Sequence, residues 1–290
     1  MAGVTRPAVT RPHAVRRLPT SLSGGQGAGG GPGRDSSVPP PFRHHGHDAD
    51  PAGPPGDPLT LLATETDLTG LDFTGLDLRP ALRRDPRPRT FTRCTFTEAN
   101  LRGAHLAEAV FTDCTATAAD FTGALLDQAR WQGGSAAGAN FTDADCGDLT
   151  CDSADLANTK WGGALLAHAS FTGCRMIGAR LTGHRGLGLS LDRCNLAVAN
   201  LNGLSLRGAH LVGIRFTEAD LGGVDFRDCI LEDCRLAEAN LRAADFTGAD
   251  LRGADLGELT IAIAAQFRGA VISPDQAAQI CTALGLNVIS

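Results

Sequence analysis

Large apolar residues recur every five positions over most of this chain. From Phe91 to Ile261 the phase holds for 35 consecutive pentapeptides, and 30 of these positions are Leu, Phe, Trp, Met or Ile. The exceptions are Ala116, Ala136, Cys146, Cys151 and Gly186. Two residues before each large one, 26 of 35 positions are Ala, Cys or Gly. LAEANLRAADFTGADLRGADLGEL (236–259) displays the unit most clearly: a small residue, Asn or Asp, a large apolar residue, then two variable residues. A period of five matches neither a helix, with 3.6 residues per turn, nor a strand, with its alternation of two. Kept over 171 residues, it predicts a solenoid of stacked units whose large and small residues point inward.

The pattern also marks its own ends. Leu68, Phe73 and Leu78 carry the motif upstream in another phase, and the 13 residues from Leu78 to Phe91 are not a multiple of five. An Arg/Pro-rich loop is expected over 79–90, because proline cannot join a ladder and the five arginines there want solvent. Downstream the phase slips by one after Ile261 and resumes at Phe267 and Ile272. Ser273-Pro274-Asp275-Gln276 reads as a helix start, with an N-cap, a proline at the first helical position and a capping-box partner. Ala277, Ile280, Cys281 and Leu284 share one face of that helix, and Gly285 terminates it. Leu286, Val288 and Ile289 are expected to form a last strand. Residues 1–58 are rich in Pro, Gly, Ser and Arg with few large apolar side chains, so burial cannot offset their ordering entropy and they are expected to be disordered. The expected organisation is a tail over 1–58, a repeat rod over 59–272 and a terminal module over 273–290.

Ala-Asn-Leu-Arg-Ala (239–243) and Ala-Asp-Leu-Arg-Gly (249–253) resemble the A(D/N)LXX motif of pentapeptide-repeat proteins. The resemblance implies an all-β fold, the right-handed quadrilateral β-helix, with one pentapeptide on each side of a square coil. Coils about 4.8 Å apart would give a rod roughly 40 Å long. Cys94, Cys114, Cys174, Cys194 and Cys234 differ by multiples of 20 and would then form one interior column. Stacked thiols can bind soft metals, yet buried cysteine also serves as a small apolar residue in place of alanine. No CxxC pair with zinc-site spacing occurs, and neither metal nor cofactor is expected. His184 and Gly186 form the worst-fitting inward pair, so LTGHRGLGLSL is expected to bulge outward without changing phase.

Composition narrows the function. The formal net charge of −6 argues against general nucleic-acid affinity. No apolar run is long enough for a membrane span. The N-terminus lacks an apolar signal region around Arg16-Arg17, so a cytoplasmic location is expected. His44, His45, His47, Asp48 and Asp50 cluster in the tail and are taken as a solvated polar tract. There is no P-loop, GxSxG or HExxH. His105, His168 and His210 fall on outward positions of separate coils with no nucleophile stacked on them, so no catalysis is expected.

Charge is unequal around the rod. Between 91 and 261 there are 22 acids and 14 bases, a net of −8. Assigning pentapeptides to four sides in rotation places Glu108, Asp127, Asp145, Asp148, Asp225, Asp228 and Asp245 on one side, against three arginines. Another side stacks Glu218, Glu238 and Glu258 in one column, with Asp255 beside them. A third carries a row of Asn100, Asp120, Asn140, Asn200, Asp220 and Asn240. Like charges stacked so closely are destabilising, which makes these acids the candidate partner-binding residues.

In layout, FRGAVISPDQAAQICTALGLNVIS (267–290) is similar to the C-terminal module of the quinolone-resistance (Qnr) members of the family and their mycobacterial relatives. That resemblance implies a homodimer formed through Ala277, Ile280, Cys281, Leu284 and Val288. It also implies a protein partner, DNA gyrase, bound by imitation of DNA and thereby protected from quinolones. A protein-interaction scaffold, or an immunity or regulatory factor unrelated to DNA topology, is the alternative the residues leave open.

Overall fold

The computed structural model describes residues 56–258 and 265–289. The tail expected to be disordered lies outside the described residues up to position 55, together with its histidine cluster.

Each wall of the rod follows from alternation within one pentapeptide. In Thr90–Thr92 the two threonines face outward and Phe91 is buried, because successive strand side chains point to opposite faces. Such a strand recurs on the first side of every coil: β1 (Asp67–Thr69), β2 (Thr90–Thr92), β3 (Val110–Thr112), β4 (Arg130–Gln132), β5 (Thr150–Asp152), β6 (Ser170–Thr172), β7 (Ser190–Asp192), β8 (His210–Val212), β9 (Ile230–Arg235) and β10 (Asp250–Asp255). They form a single parallel ten-stranded sheet in sequence order. Phe91 pairs with Phe111, and Phe111 with Trp131. The same one-coil offset joins Thr95 to Thr115 on the second side, Asn100 to Asp120 on the third and His105 to Leu125 on the fourth. Four pentapeptides therefore make one coil, and the expected quadrilateral β-helix is the observed architecture.

Inward side chains stack along the axis. Phe91, Phe111 and Trp131 lie ring over ring at 5.1 and 4.5 Å, and Phe121, Phe141 and Trp161 at 4.8 and 4.2 Å. Where the large place holds Cys151, the small place two residues earlier holds Leu149, and both are buried. The volume inside the coil is thus conserved, as a close-packed core requires.

The first coil departs from the period for a visible reason. Leu68 pairs with Phe91, so this coil has 23 residues where the next has 20. The segment expected as a loop begins with a short helix, α2 (Arg79–Leu82). Its Leu82 is buried as the fourth inward residue of the coil, and the Leu82 carbonyl accepts the His105 amide at 3.1 Å. Not all five arginines reach solvent. Arg89 takes the small inward place before Phe91 and is 2% exposed. It stays charged there because Nη1 donates to the Asp85 and Arg87 carbonyls at 3.0 and 3.1 Å and Nη2 to Asp85 Oδ2 at 2.8 Å. A further helix that the apolar pattern does not announce, α1 (Pro58–Thr64), is N-capped by Asp57 and buries Leu62 against the same core.

At the other end the expected slip is present. Asp250 bridges to Val271, 21 residues on, and Phe267 stacks on Phe246 at 4.7 Å. Helix α3 (Pro274–Ala283) has its full capping box. Gln276 also reaches beyond it: Nε2 donates to the Leu251 and Ala254 carbonyls at 2.7 Å each, closing that edge of the last coil. The expected last strand is absent. Leu286, Val288 and Ile289 are exposed outside any strand, and the Leu286 amide turns back to the Cys281 carbonyl at 2.9 Å. An apolar triplet becomes a strand only against a free edge, and Gln276 already occupies two acceptors of the nearest one.

The bulge at 184–188 forms as expected. Gly186 and Gly188 adopt φ of 97° and 80°, and Leu187 is pushed out to 76% exposure. The phase is kept, because Ser190 N returns to the Ala169 carbonyl at 2.9 Å.

Candidate interaction surfaces

The seven acids assigned to the fourth side do share that side, but they fall into two groups of different character. Glu108, Asp127, Asp145 and Asp148 lie on successive coils near the N-terminal half, and none has a cationic partner within ion-pair distance among the described residues. Asp127 accepts only from Gln128 Nε2 at 2.9 Å, and Asp145 from the Gly147 amide at 3.3 Å. Asp225, Asp228 and Asp245 are instead neutralised. Arg227 binds Asp225 at 2.7 Å and Asp245 at 3.7 Å, and Arg207 reaches Asp228 at 3.3 Å. The Arg227 hydrogen bond holds the Asp225 carboxyl below the usual carboxylate range. Between the two groups stand Leu165, Arg185 and the exposed Leu187, so the fourth side is not one acidic stripe.

The second side carries the barest acids. Glu218 and Glu238 sit at the corner position that turns left-handed, with φ of 56° and 60°. Together with Glu258 they are exposed and form no ion pair among the described residues. Arg215 and Arg235 occupy the row beside them, and Asp255 continues that row one coil on. The third side is knitted by hydrogen bonds: Asn240 Nδ2 donates to Asp220 Oδ1 at 2.9 Å and Asn140 Nδ2 to Thr122 Oγ1 at 2.9 Å.

The pairing of Asp225 escaped reasoning from side assignment alone, although its signal is in the sequence. In Asp-x-Arg the two charged residues flank one residue, which is inward and buried at Leu78, Phe226 and Leu251 and exposed at Pro86, and they project from the same face. Asp77–Arg79, Asp85–Arg87, Asp225–Arg227 and Asp250–Arg252 all pair, at 2.6 to 2.7 Å. Asp250 and Glu232 add acids on the first side, but Arg252 and His210 hold them at 2.6 and 3.1 Å.

Inside the rod, the cysteine column is made of buried thiols. Cys94, Cys114, Cys174, Cys194 and Cys234 each donate to the carbonyl of a large-position residue one coil back, at 3.3 to 3.4 Å. Burial pushes the Cys234 thiol up to about 11. No cluster of three or more metal-ligating side chains occurs among the described residues.

The model for the pentapeptide repeat region matches residues 89–161, and that for pentapeptide repeats matches 151–183, 194–233 and 219–257. The chain belongs to the pentapeptide-repeat family. The family matches pause at 184–193, the pentapeptides that hold the bulge. Full-length QnrB1, a plasmid-mediated fluoroquinolone resistance protein, shares the fold with a TM-score of 0.58 at 22% identity, over 76% of this chain and 100% of its own. A trypsin-treated QnrB1 variant gives 0.57 at 23%, over 77% and 100%. No curated protein sequence matches the chain.

Of the residues expected at a dimer contact in this pentapeptide-repeat protein, Ala277, Ile280 and Cys281 are half-buried, and Leu284 and Val288 are exposed. Ile280 faces the rod end, bordering a cavity of about 20 Å³ with Leu256, Gly257 and Gln276. Leu286 and Ile289 are exposed in the same C-terminal segment. No described helix is long and apolar enough to cross a membrane.

Proposed function

We propose that this pentapeptide-repeat protein is a non-enzymatic binder of a DNA-handling enzyme, DNA gyrase or another type II topoisomerase, and that it works by presenting carboxylates where the enzyme expects phosphates. The observation that carries this is the unpaired set Glu218, Glu238 and Glu258 with Asp255, on a narrow rod whose fold is that of QnrB1. Duplex DNA carries one charge per about 1.7 Å of its axis, and a rod of roughly 40 Å spans about 12 base pairs at 3.4 Å each. Glu108, Asp127, Asp145 and Asp148 form a second acidic contact. The arginine-bound Asp225, Asp228 and Asp245 contribute less, since their charge is spent internally.

The exposure of Leu284 and Val288, and the partial exposure of Ala277 and Cys281, support a homodimer through the C-terminal module. Dimerisation would double the acidic length. The nine cysteines, described ones free and all but Cys281 buried, suit the reducing cytoplasm. The protein needs no cofactor and does not bind nucleic acid itself. Supercoiling by purified gyrase, with and without a quinolone, tests the proposal: micromolar protein should inhibit supercoiling or reduce cleavage induced by the drug. Supercoiling and drug sensitivity unchanged at that concentration would leave only the scaffold alternative. Deleting 274–290 should convert a dimer to a monomer by light scattering.

A further inference from the structure

The bulge does more than expose Leu187, because it opens the ladder beside it. On the fourth side the bridges run from His105 through Leu125, Asp145 and Leu165 to Arg185, and resume from Ser205 to Asp225 and Asp245; none joins Arg185 to Ser205. On the first side β7 and β8 pair only through Asp192 and Val212. Elsewhere the outward residue before each large one donates its amide to the coil below. Arg185 N bonds Ala164 O at 2.7 Å, Asp225 N bonds Leu204 O at 2.9 Å, and Ile230 N bonds Ala209 O at 3.0 Å. The amides of Ser205 and His210 have no such partner among the described residues, and the Ser205 and Arg207 carbonyls receive no amide from 186 or 188. A cleft of about 290 Å³ lies there, between residues 188–191 and 205–210.

We propose that this cleft binds an extended, acidic peptide segment of a protein partner by strand addition. The Ser205 amide, the Ser205 and Arg207 carbonyls and the His210 amide follow one another as donor, acceptor, acceptor, donor along one edge. Such an edge is a template for another backbone. A small carboxylate would satisfy only the two amides, whereas a peptide satisfies the carbonyls as well. Charge selects the sequence: the lining includes Arg207 and His210 and no Asp or Glu, and an acidic segment would take over these two groups from Asp228 and Glu232, which meet them from the next coil at 3.3 and 3.1 Å through exposed, weak pairs. Leu187, standing out of the bulge, offers the apolar contact next to the edge. The site shares Arg207 with the fourth-side acid Asp228 but does not rest on the topoisomerase proposal.

The test uses the full chain and a blocked hexapeptide, acetyl-Thr-Val-Asp-Val-Asp-Thr-amide, with the same peptide carrying Lys for Asp as comparison. Hydrogen exchange read by NMR should slow by about tenfold or more at the Ser205 and His210 amides on saturation with the acidic peptide, and the Lys peptide should bind more weakly. His184→Ala with Gly186→Leu rebuilds a regular inward pair. A Cβ at Gly186 meets the Ala167 backbone at 2.6 Å in the bulged path, so the leucine favours the closed one. This variant should protect both amides without peptide and lose binding. Leu187→Ser alters only an exposed side chain and should weaken binding several-fold with the fold intact. Unchanged exchange at millimolar acidic peptide, equal binding of the Lys peptide, or full binding by a folded ladder-closing variant would overturn the proposal.

Discussion

A repeat holds the backbone constant and lets single residues be compared. Trp131 and Trp161 both fill large inward places, but only Trp161 is satisfied: its indole donates to Thr159 Oγ1 at 2.9 Å, which donates on to the Leu156 carbonyl at 2.7 Å. At Trp131 the corresponding small residue is Ala129, and the indole nitrogen is buried without a partner. Thr159→Val keeps the volume and removes the hydroxyl, so it should cost about 1–3 kcal/mol in urea unfolding. Trp131→Phe removes an N–H that is already unpaired and should shift the midpoint less. Val198 makes the opposite case. It is β-branched, half exposed and held at a φ of 50°, a conformation such residues rarely adopt. Val198→Gly should therefore raise the unfolding free energy by about 1 kcal/mol; a loss of stability would mean that the corner is not strained.

At the scale of elements, most of the rod was legible because each inward position must be filled, and apolar residues fill nearly all of them in a fixed phase. The phase breaks at 79–90 and after Ile261 were legible for the same reason. The way the first break is filled was not. Leu82 falls outside the period, and Arg89 is buried only because Asp85 and two carbonyls happen to surround it. The last strand was misjudged because apolar residues signal a need for burial but do not supply an edge. For the candidate surfaces, columns of acids were legible from spacing by coils, while their partial neutralisation required the Asp-x-Arg geometry. The open ladder at Ser205 and His210 was beyond reach, since it is a property of main-chain groups. Gln276 ties helix α3 to the rod. Gln276→Ala should free the Leu251 and Ala254 carbonyls, cost about 1–3 kcal/mol and raise exchange in α3 while leaving β2 and β3 unaffected.

For the whole molecule, burial and charge make two solution predictions. Only Cys281 among the nine cysteines is partly exposed. A disulfide reagent should therefore titrate one thiol in the native protein and nine after denaturation. Several native carboxylates sit low: Asp77, through its Arg79 hydrogen bond, falls to about 2, and Asp85, Asp225 and Asp250 are lowered by their Arg87, Arg227 and Arg252 partners. Groups depressed in this way stabilise the fold above the unfolded carboxylate value of about 3.9, and the contribution disappears as pH falls through their native values. Thermal stability should accordingly be flat on the acid side down to about pH 5 and decline below about pH 4.

The central claim is that carboxylates on this rod occupy a surface meant for DNA phosphates. It is tested most directly by competition for gyrase against a fluorescent duplex, followed by anisotropy. The account predicts that the protein displaces the duplex, that rising salt weakens the displacement, and that Glu218→Gln, Glu238→Gln and Glu258→Gln together raise the concentration required by tenfold or more, about 1.4 kcal/mol. A duplex that stays bound at saturating protein, or displacement to which the three glutamates contribute nothing, would contradict it.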